Sequence, residues 1–434
     1  MQSKAESLQH NDFSSWKRGI LYKIIDMNKV TNVCLVLFLS FAVVCTNNGE
    51  PEKSKSNAGF AKGSYGYDVA FLKKYTHLIE LQNENRKVLL SADYQGRIIT
   101  SSASGDSGTS YGWINYNLIS SGEKKKQFNP IGGEERFWLG PEGGQYSIYF
   151  NKADSFNVAH WQVPPIIDTE TYDTLQSNKS SATFSKSAVI TNYYGSVFHI
   201  DITRKIQLLD KNALEQKLNS HIPSGIQYVA YESSNQIKNS GNNKWKKETG
   251  LLSIWLLGMM TPTEQTKVII PFSPKPYARS YITDNYFGKI PRDRLLVKDS
   301  VLFFRCDGKS RGKLGLSSLI AKPFVGSYDF EKNVLTILIP EVHSDGMYVN
   351  SKWEIQKEPY KGDVINSYND GPLRDGTQLG PFYEIESSSP AKELAPGQTQ
   401  EYHQTTCHFQ GDYGSLKELA KQLLGVNLDE AKNW

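Results

Sequence analysis

The chain has 434 residues, 38% hydrophobic and 12% aromatic, and its 49 Lys+Arg against 45 Asp+Glu leave a formal charge of +4. A disordered chain needs few aromatics and a large net charge, and a nucleic-acid binder needs a basic stripe; both are excluded. Four Cys without a CxxC pair exclude a disulfide scaffold and a zinc ribbon, and neither a metal nor another cofactor is expected.

Val33 to Val44 (VCLVLFLSFAVV) is an apolar run of 12 residues, well short of the roughly 20 that a membrane-spanning helix needs. Lys29 precedes it and Cys45 follows, the order of a secretory signal peptide over 27–44. Cys45 then becomes the acylated N-terminus of a lipoprotein, although Val44 departs from the Gly, Ala or Ser usual before such a Cys. An ordinary cleaved signal is the alternative. Residues 1–26 read as an upstream mis-assigned start, 45–62 as a polar linker, and 63–434 as one domain. The expected location is the cell envelope, periplasm or outer membrane, after secretion across the inner membrane. Membrane contact is through the lipid only.

Helical period appears at Tyr65–Tyr75 and again at Ser415–Leu424, where Leu416, Leu419, Ala420 and Leu423 share a face. Between them, alternating segments at 88–90, 97–100, 146–150, 197–209, 251–257, 267–272, 301–305 and 334–339 read as strands bounded by turn residues. Strand follows strand without helices between, so the fold class is all-β and mostly antiparallel, with a few short peripheral helices. Cys306 and Cys407 are either one disulfide or two buried thiols.

No GxSxG, HExxH, Walker loop or strand-linked GxGxxG is present. Arg136-Phe137-Trp138-Leu139-Gly140-Pro141-Glu142 and His160-Trp161 place carboxylate, imidazole and indole together, the residue types that hold a sugar ring. In Val197–Leu209 the even positions are apolar except Arg204, which must meet a carboxylate or a polar cavity. His199, Asp201 and Thr203 form a polar row on the other face. Lys309, Arg311 and Lys313 alternate and suit either solvent or an acidic sugar. Glu384 and Glu386 fall on one strand face about 7 Å apart. The segment Tyr402–Phe409 reads as their hairpin partner, bringing His403 opposite a Glu as an acid–base pair.

The segments RFWLGPEGGQYSIYF, HIDITRKIQLL and GPFYEIESSSPAKELAPGQTQEYHQTTCHFQGD resemble the galactose-mutarotase-like β-supersandwich proteins, and more narrowly a family of lipoproteins of saccharolytic Gram-negative bacteria. The resemblance covers most of residues 65 to 420. It implies a large antiparallel β-supersandwich with a sugar site on a concave sheet face. It also implies Glu384 or Glu386 as the catalytic carboxylate, with His160, His199 or His403 as the acid. Arg204, Glu142, His160, Trp161, Lys309 and Arg311 are the expected substrate contacts. The expected partner is a mono- or oligosaccharide, and no nucleic acid. The function is carbohydrate binding or processing at the envelope. The alternatives are an epimerase, lyase or hydrolase, or a structural envelope protein.

Overall fold

The mid-chain alternation is realised in the strand Val197–Leu208, where Phe198, Ile200, Ile202, Arg204, Ile206 and Leu208 are buried and His199 and Lys205 are exposed. Successive side chains of a strand point to opposite faces, so this strand demands a sheet with one deeply covered face. The computed structural model describes residues 59–434. Cys45, the expected signal and most of the expected linker lie outside the described residues.

That sheet has ten strands, in spatial order Leu295–Val297, Val301–Arg305, Thr266–Pro271, Val325–Asp329, Val334–Pro340, Thr399–Gln410, Gln227–Asn239, Val197–Leu208, Ser181–Thr191 and Asp173–Ser177. A second sheet has six: Ile282–Thr283, Gly312–Ser317, Asp363–Asn369, Tyr383–Ser388, Ser253–Met260 and Arg136–Gly140. A small third sheet joins Ile79–Asn83, Arg86–Ser91 and Arg97–Ser102. Every pairing between these strands is antiparallel, as the scarcity of helical connections requires.

The two large sheets pack face to face. Ser387 of the smaller one accepts from Tyr402 Oη at 2.8 Å and donates to Gln404 Oε1 at 2.6 Å, and Tyr383 Oη meets Ser327 Oγ at 2.8 Å. The outer face of the ten-stranded sheet is covered by the helices Lys211–Leu218, Tyr413–Leu424 and Leu428–Lys432, which share a core with Ile337, Cys407 and Phe409. Helix Tyr413–Leu424 is started by Asp412, whose side chain accepts from Ser415 N, and stopped by Gly425 at φ 68°. Its buried Leu416, Leu419 and Leu423 each contribute roughly 1.5–3 kcal/mol by leaving water.

Two expectations change, and the alternative left open for the cysteines is decided. The segment 146–150 joins no ladder; Ile148, Tyr149 and Phe150 are buried as irregular chain within the core. Cys306 and Cys407 are free thiols in separate core clusters, their ionisation pushed up by burial. Most important, Tyr383–Ser388 and Thr399–Gln410 are not hairpin partners. The first pairs with Asp363–Asn369 and Ser253–Met260, the second with Gln227–Asn239 and Val334–Pro340. The Pro390–Pro396 stretch carries the chain from one sheet to the other. Turn residues reverse the chain, but they do not choose which sheet receives the next strand.

Candidate functional site

Strand register assembles the site on the face of the six-stranded sheet turned away from the larger sheet. Glu386 lies between Leu257 and Asn366, and Glu384 between Met259 and Tyr368. One strand further out, Arg136 stands opposite Leu257 and Trp138 opposite Trp255; on the other side Lys313 stands opposite Tyr368. Residues directly opposite in antiparallel strands share a face, so two cations, two carboxylates and two indoles converge.

Their contacts are close. Lys313 Nζ lies 2.9 Å from Glu386 Oε2, and Trp255 Nε1 donates to the same oxygen at 3.0 Å. Arg136 pairs with Glu384. The Arg136 guanidinium sits 4.6 Å from the Trp138 ring centre, and the Lys313 ammonium 4.8 Å from that of Trp255. Side-chain exposure is 0% for Glu386, 7% for Glu384, 3% for Arg136 and 11% for Lys313.

A third carboxylate enters from the loop after Arg136–Gly140. Glu142 N donates to Ser351 Oγ at 3.2 Å, and Gln145 and Gln356 exchange hydrogen bonds at 2.9 and 3.0 Å. Gly143 allows this close approach of two loops, since a Cβ there would stand 2.3 Å from Lys352 O. The indole N–H groups of Trp353 and Trp161 turn toward the Glu142 carboxylate, both short of full hydrogen-bond geometry. Trp161 and Trp353 stack with centres 5.9 Å apart. Glu142, Lys313, Trp161 and Trp353 are only partly buried, and the cluster meets solvent on that side.

Crowding of charge in a largely buried place sets the protonation states. Burial raises Glu142 to about 7; Lys313 opposes the shift and Glu386 adds to it. Glu384 is also pushed above the ordinary carboxylate range by burial, with Glu386 adding to this against the pull of Arg136. Burial draws Lys313 down, but Glu386 and Glu142 outweigh it and leave the ammonium raised. Beside them Asp363 is raised to about 6 by burial, and accepts from Tyr286 Oη at 2.7 Å.

The cluster is also incomplete. Arg136 Nε and Nη1, Trp138 Nε1 and Glu386 Oε1 are buried without a hydrogen-bond partner. Each unmet polar group costs about 1–3 kcal/mol. Such groups beside one another ask for a polar ligand or ordered water. Among the described residues no group of three or more His, Cys, Asp or Glu is arranged to hold a metal ion.

The structure thus brings together Glu142, Trp161, Glu384 and Glu386, which the sequence places in two separate segments. It does not bring them a histidine. His160 is exposed, with Nδ1 3.1 Å from Ser155 O. His199 is exposed on the outer face of the ten-stranded sheet. His403 is on that same face, 2.9 Å from Ser234 Oγ and 3.3 Å from Glu401. The expected Glu–His pair therefore fails, because His199 and His403 lie on strands of the other sheet and His160 lies in an exposed turn. Arg204 is a structural residue and not a substrate contact: it lies between the sheets, 2.8 Å from Glu135, both 0% exposed. Lys309 is exposed and paired with Glu264. Arg311 packs 4.3 Å from the centre of the Phe287 ring, and its charge only partly opposes the burial that raises Asp370 and Tyr368, so it borders the cluster.

Sequence reasoning missed Arg136, Trp255 and Trp353 as site residues, and read Lys313 only beside Lys309 and Arg311 as a cation for solvent or an acidic sugar. Arg136 carried a usable signal, a charged residue in register with Trp138. It also missed a buried dyad between the sheets, where His408 Nε2 lies 3.1 Å from Glu134 Oε2 and Tyr111 stacks on the imidazole at 4.3 Å.

Fold and site together define a large antiparallel two-sheet protein with a buried carboxylate–cation–tryptophan cluster on its smaller sheet. The chain belongs to the family of unknown function DUF6786, whose model matches residues 63–434. None of the curated proteins matches it. Among solved structures it is similar to a galactose mutarotase-like protein from Lactobacillus casei, with 11% identity, a TM-score of 0.44, and coverage of 76% of this chain and 100% of that one. It is also similar to a galactose mutarotase related enzyme from Lactobacillus acidophilus, with 9% identity, a TM-score of 0.43, and coverage of 78% and 99%. At such identities the likeness concerns neither residues nor reaction.

Proposed function

We propose that this protein binds a sugar ring at the Glu142–Glu384–Glu386–Lys313 cluster. The observation that carries this reading is the set of unmet buried atoms on Arg136, Trp138 and Glu386, enclosed by indole rings. A sugar offers what they lack: hydroxyls that both donate and accept, and C–H faces that stack on Trp. The residues that resemble the galactose-mutarotase-like group, Glu384 and Glu386 among them, support the same ligand class. Calorimetry against a panel of mono- and oligosaccharides tests it. Binding to the parent that Glu386→Gln weakens is the expected result, and no binding across the panel rejects it.

A second reading, a sugar-active enzyme, is favoured by Glu142 being raised to about 7. A carboxyl half-protonated at neutral pH suits a general acid, with Glu386, held by Lys313, as the base. Chromatography of the same panel separates the two, since product formation selects an epimerase, lyase or hydrolase. With neither binding nor turnover, a structural envelope role takes their place. We further propose that the protein acts in the cell envelope as a lipoprotein anchored through Cys45. Mass spectrometry of the mature protein should find Cys45 as a lipid-modified N-terminus; a soluble product beginning elsewhere rejects the anchor.

A further inference from the structure

A second feature on the same side of the six-stranded sheet has no role in the cluster above. It is a cleft of about 840 Å³ lined by Lys62, Asp68, Trp113, Tyr116, Lys125 and Lys332 among others, within the roughly 300–1,000 Å³ of small-ligand sites. Trp113, Met259, Tyr368 and Phe382 form one apolar cluster, and Met259 and Tyr368 flank Glu384 in register. That aromatic wall is therefore shared. Pro381 lines the cleft and is three residues from Glu384, at most about 11 Å along the chain.

The charges in the cleft are unevenly committed. Lys62, Lys125 and Lys332 are exposed, and none is ion-paired among the described residues. Two carboxylates are present. Asp68 is buried and turned inward, accepting from the hydroxyls of Ser110 and Tyr116. Glu123 stands exposed at the rim. Lys62 already lies 5.3 Å from the Tyr116 ring centre and acts on the Asp68 carboxylate, which leaves Lys125 and Lys332 as uncommitted ammonium groups in a cleft that also holds aromatic side chains, a match for a ligand that is both ring-shaped and anionic.

We propose that this cleft is a second binding site, taking the carboxylate- or sulfate-bearing unit of an acidic saccharide whose neighbouring units reach Glu384 and Glu386. That the ligand is a saccharide rests on the sugar reading above; that it is anionic rests on the lysines.

The test is calorimetry on the full chain with a uronate tetrasaccharide, its neutral carboxyl-reduced counterpart, and inorganic sulfate. The uronate should bind at least 10-fold tighter than the neutral sugar at low salt, and the gap should narrow as salt screens the lysines. The variant Lys62→Ala/Lys125→Ala/Lys332→Ala, changed only at exposed positions, should close the gap and abolish the weaker sulfate binding. Glu386→Gln should weaken both sugars and leave the gap open. Equal affinity of the parent for both sugars, or a gap that survives the triple variant, overturns the proposal. The two readings fail separately. If both sugars bind alike and only Glu386→Gln weakens them, the cleft is rejected and the sugar site stands. If the lysines govern binding and Glu386→Gln changes nothing, the cleft stands and the Glu386 site is rejected.

Discussion

Two buried charge clusters in this protein use the same residue types to opposite ends. Between the sheets, Arg204 binds Glu135 at 2.8 Å while Gln404 donates to the other Glu135 oxygen at 2.9 Å. The neighbouring Glu134 receives the Ser101 hydroxyl at 2.8 Å, and Tyr231 and His408 at 3.1 Å. Among the atoms of these residues Arg204 Nη1 is left unmet, and beside it Asn235 Oδ1, which stands opposite Arg204 in register. On the outer face of the smaller sheet, Arg136, Lys313, Glu142, Glu384 and Glu386 leave several atoms unmet, and two of the carboxyls are raised. A cluster whose lone pairs and protons are nearly all used fixes the packing of two sheets. One left open, at a place solvent can reach, is built to be completed by something else.

The largest expected effect tests the closed cluster. Arg204→Ala strands Glu135 in the core and should lose about 3–5 kcal/mol in urea unfolding. A loss below about 0.5 kcal/mol would put Arg204 among ordinary surface residues and erase the contrast.

The next concerns protons at the open cluster. Glu142 titrates near 4.5 when unfolded and at about 7 when folded. The folded state therefore holds the extra proton. The stability this gives is full below the unfolded value and is lost as pH rises through about 7, a swing on the order of 3 kcal/mol. Relative to the parent, Glu142→Gln should gain by that order between acid and mildly alkaline pH, read from urea midpoints. Parallel pH curves would show that Glu142 is not held in a dry site.

A smaller effect sharpens the functional side. Glu386→Gln should weaken sugar binding about 10-fold, or about 1.4 kcal/mol, while Glu135→Gln should leave the affinity of folded protein unchanged. Equal losses would mean that the two clusters are not separate. Smallest of all, His199→Ala should change stability by less than about 0.5 kcal/mol and binding not at all, because His199 faces solvent. A large binding defect would return a histidine to the site.

What could be read from the sequence follows the range of the forces involved. The period of two in Val197–Leu208 and the shared face of Glu384 and Glu386 are local consequences of the pleat, and both are realised. The need of Arg204 for a carboxylate is likewise local in its logic, but its partner, Glu135, is 69 positions away. The expected meeting of His403 with Glu384 or Glu386 failed because nearness in sequence stood in for pairing. Arg136 and Glu384 are 248 positions apart and Lys313 and Glu386 are 73 apart. Only the strand order of a sheet whose six strands are scattered along the chain brings them together. The apolar run at 146–150 shows the reverse, where local alternation met core packing instead of a ladder.

The strand Tyr383–Ser388 has a further consequence. Its odd residues, Tyr383, Ile385 and Ser387, fasten the two sheets together, while Glu384 and Glu386 between them build the open cluster. Inserting or deleting one residue here would exchange the two sets, sending carboxylates into the core and a tyrosine and an isoleucine outward. Mutational drift in this strand is thus confined to substitutions. Selection on folding alone would keep positions 384 and 386 on the outer face, whatever residues they carried.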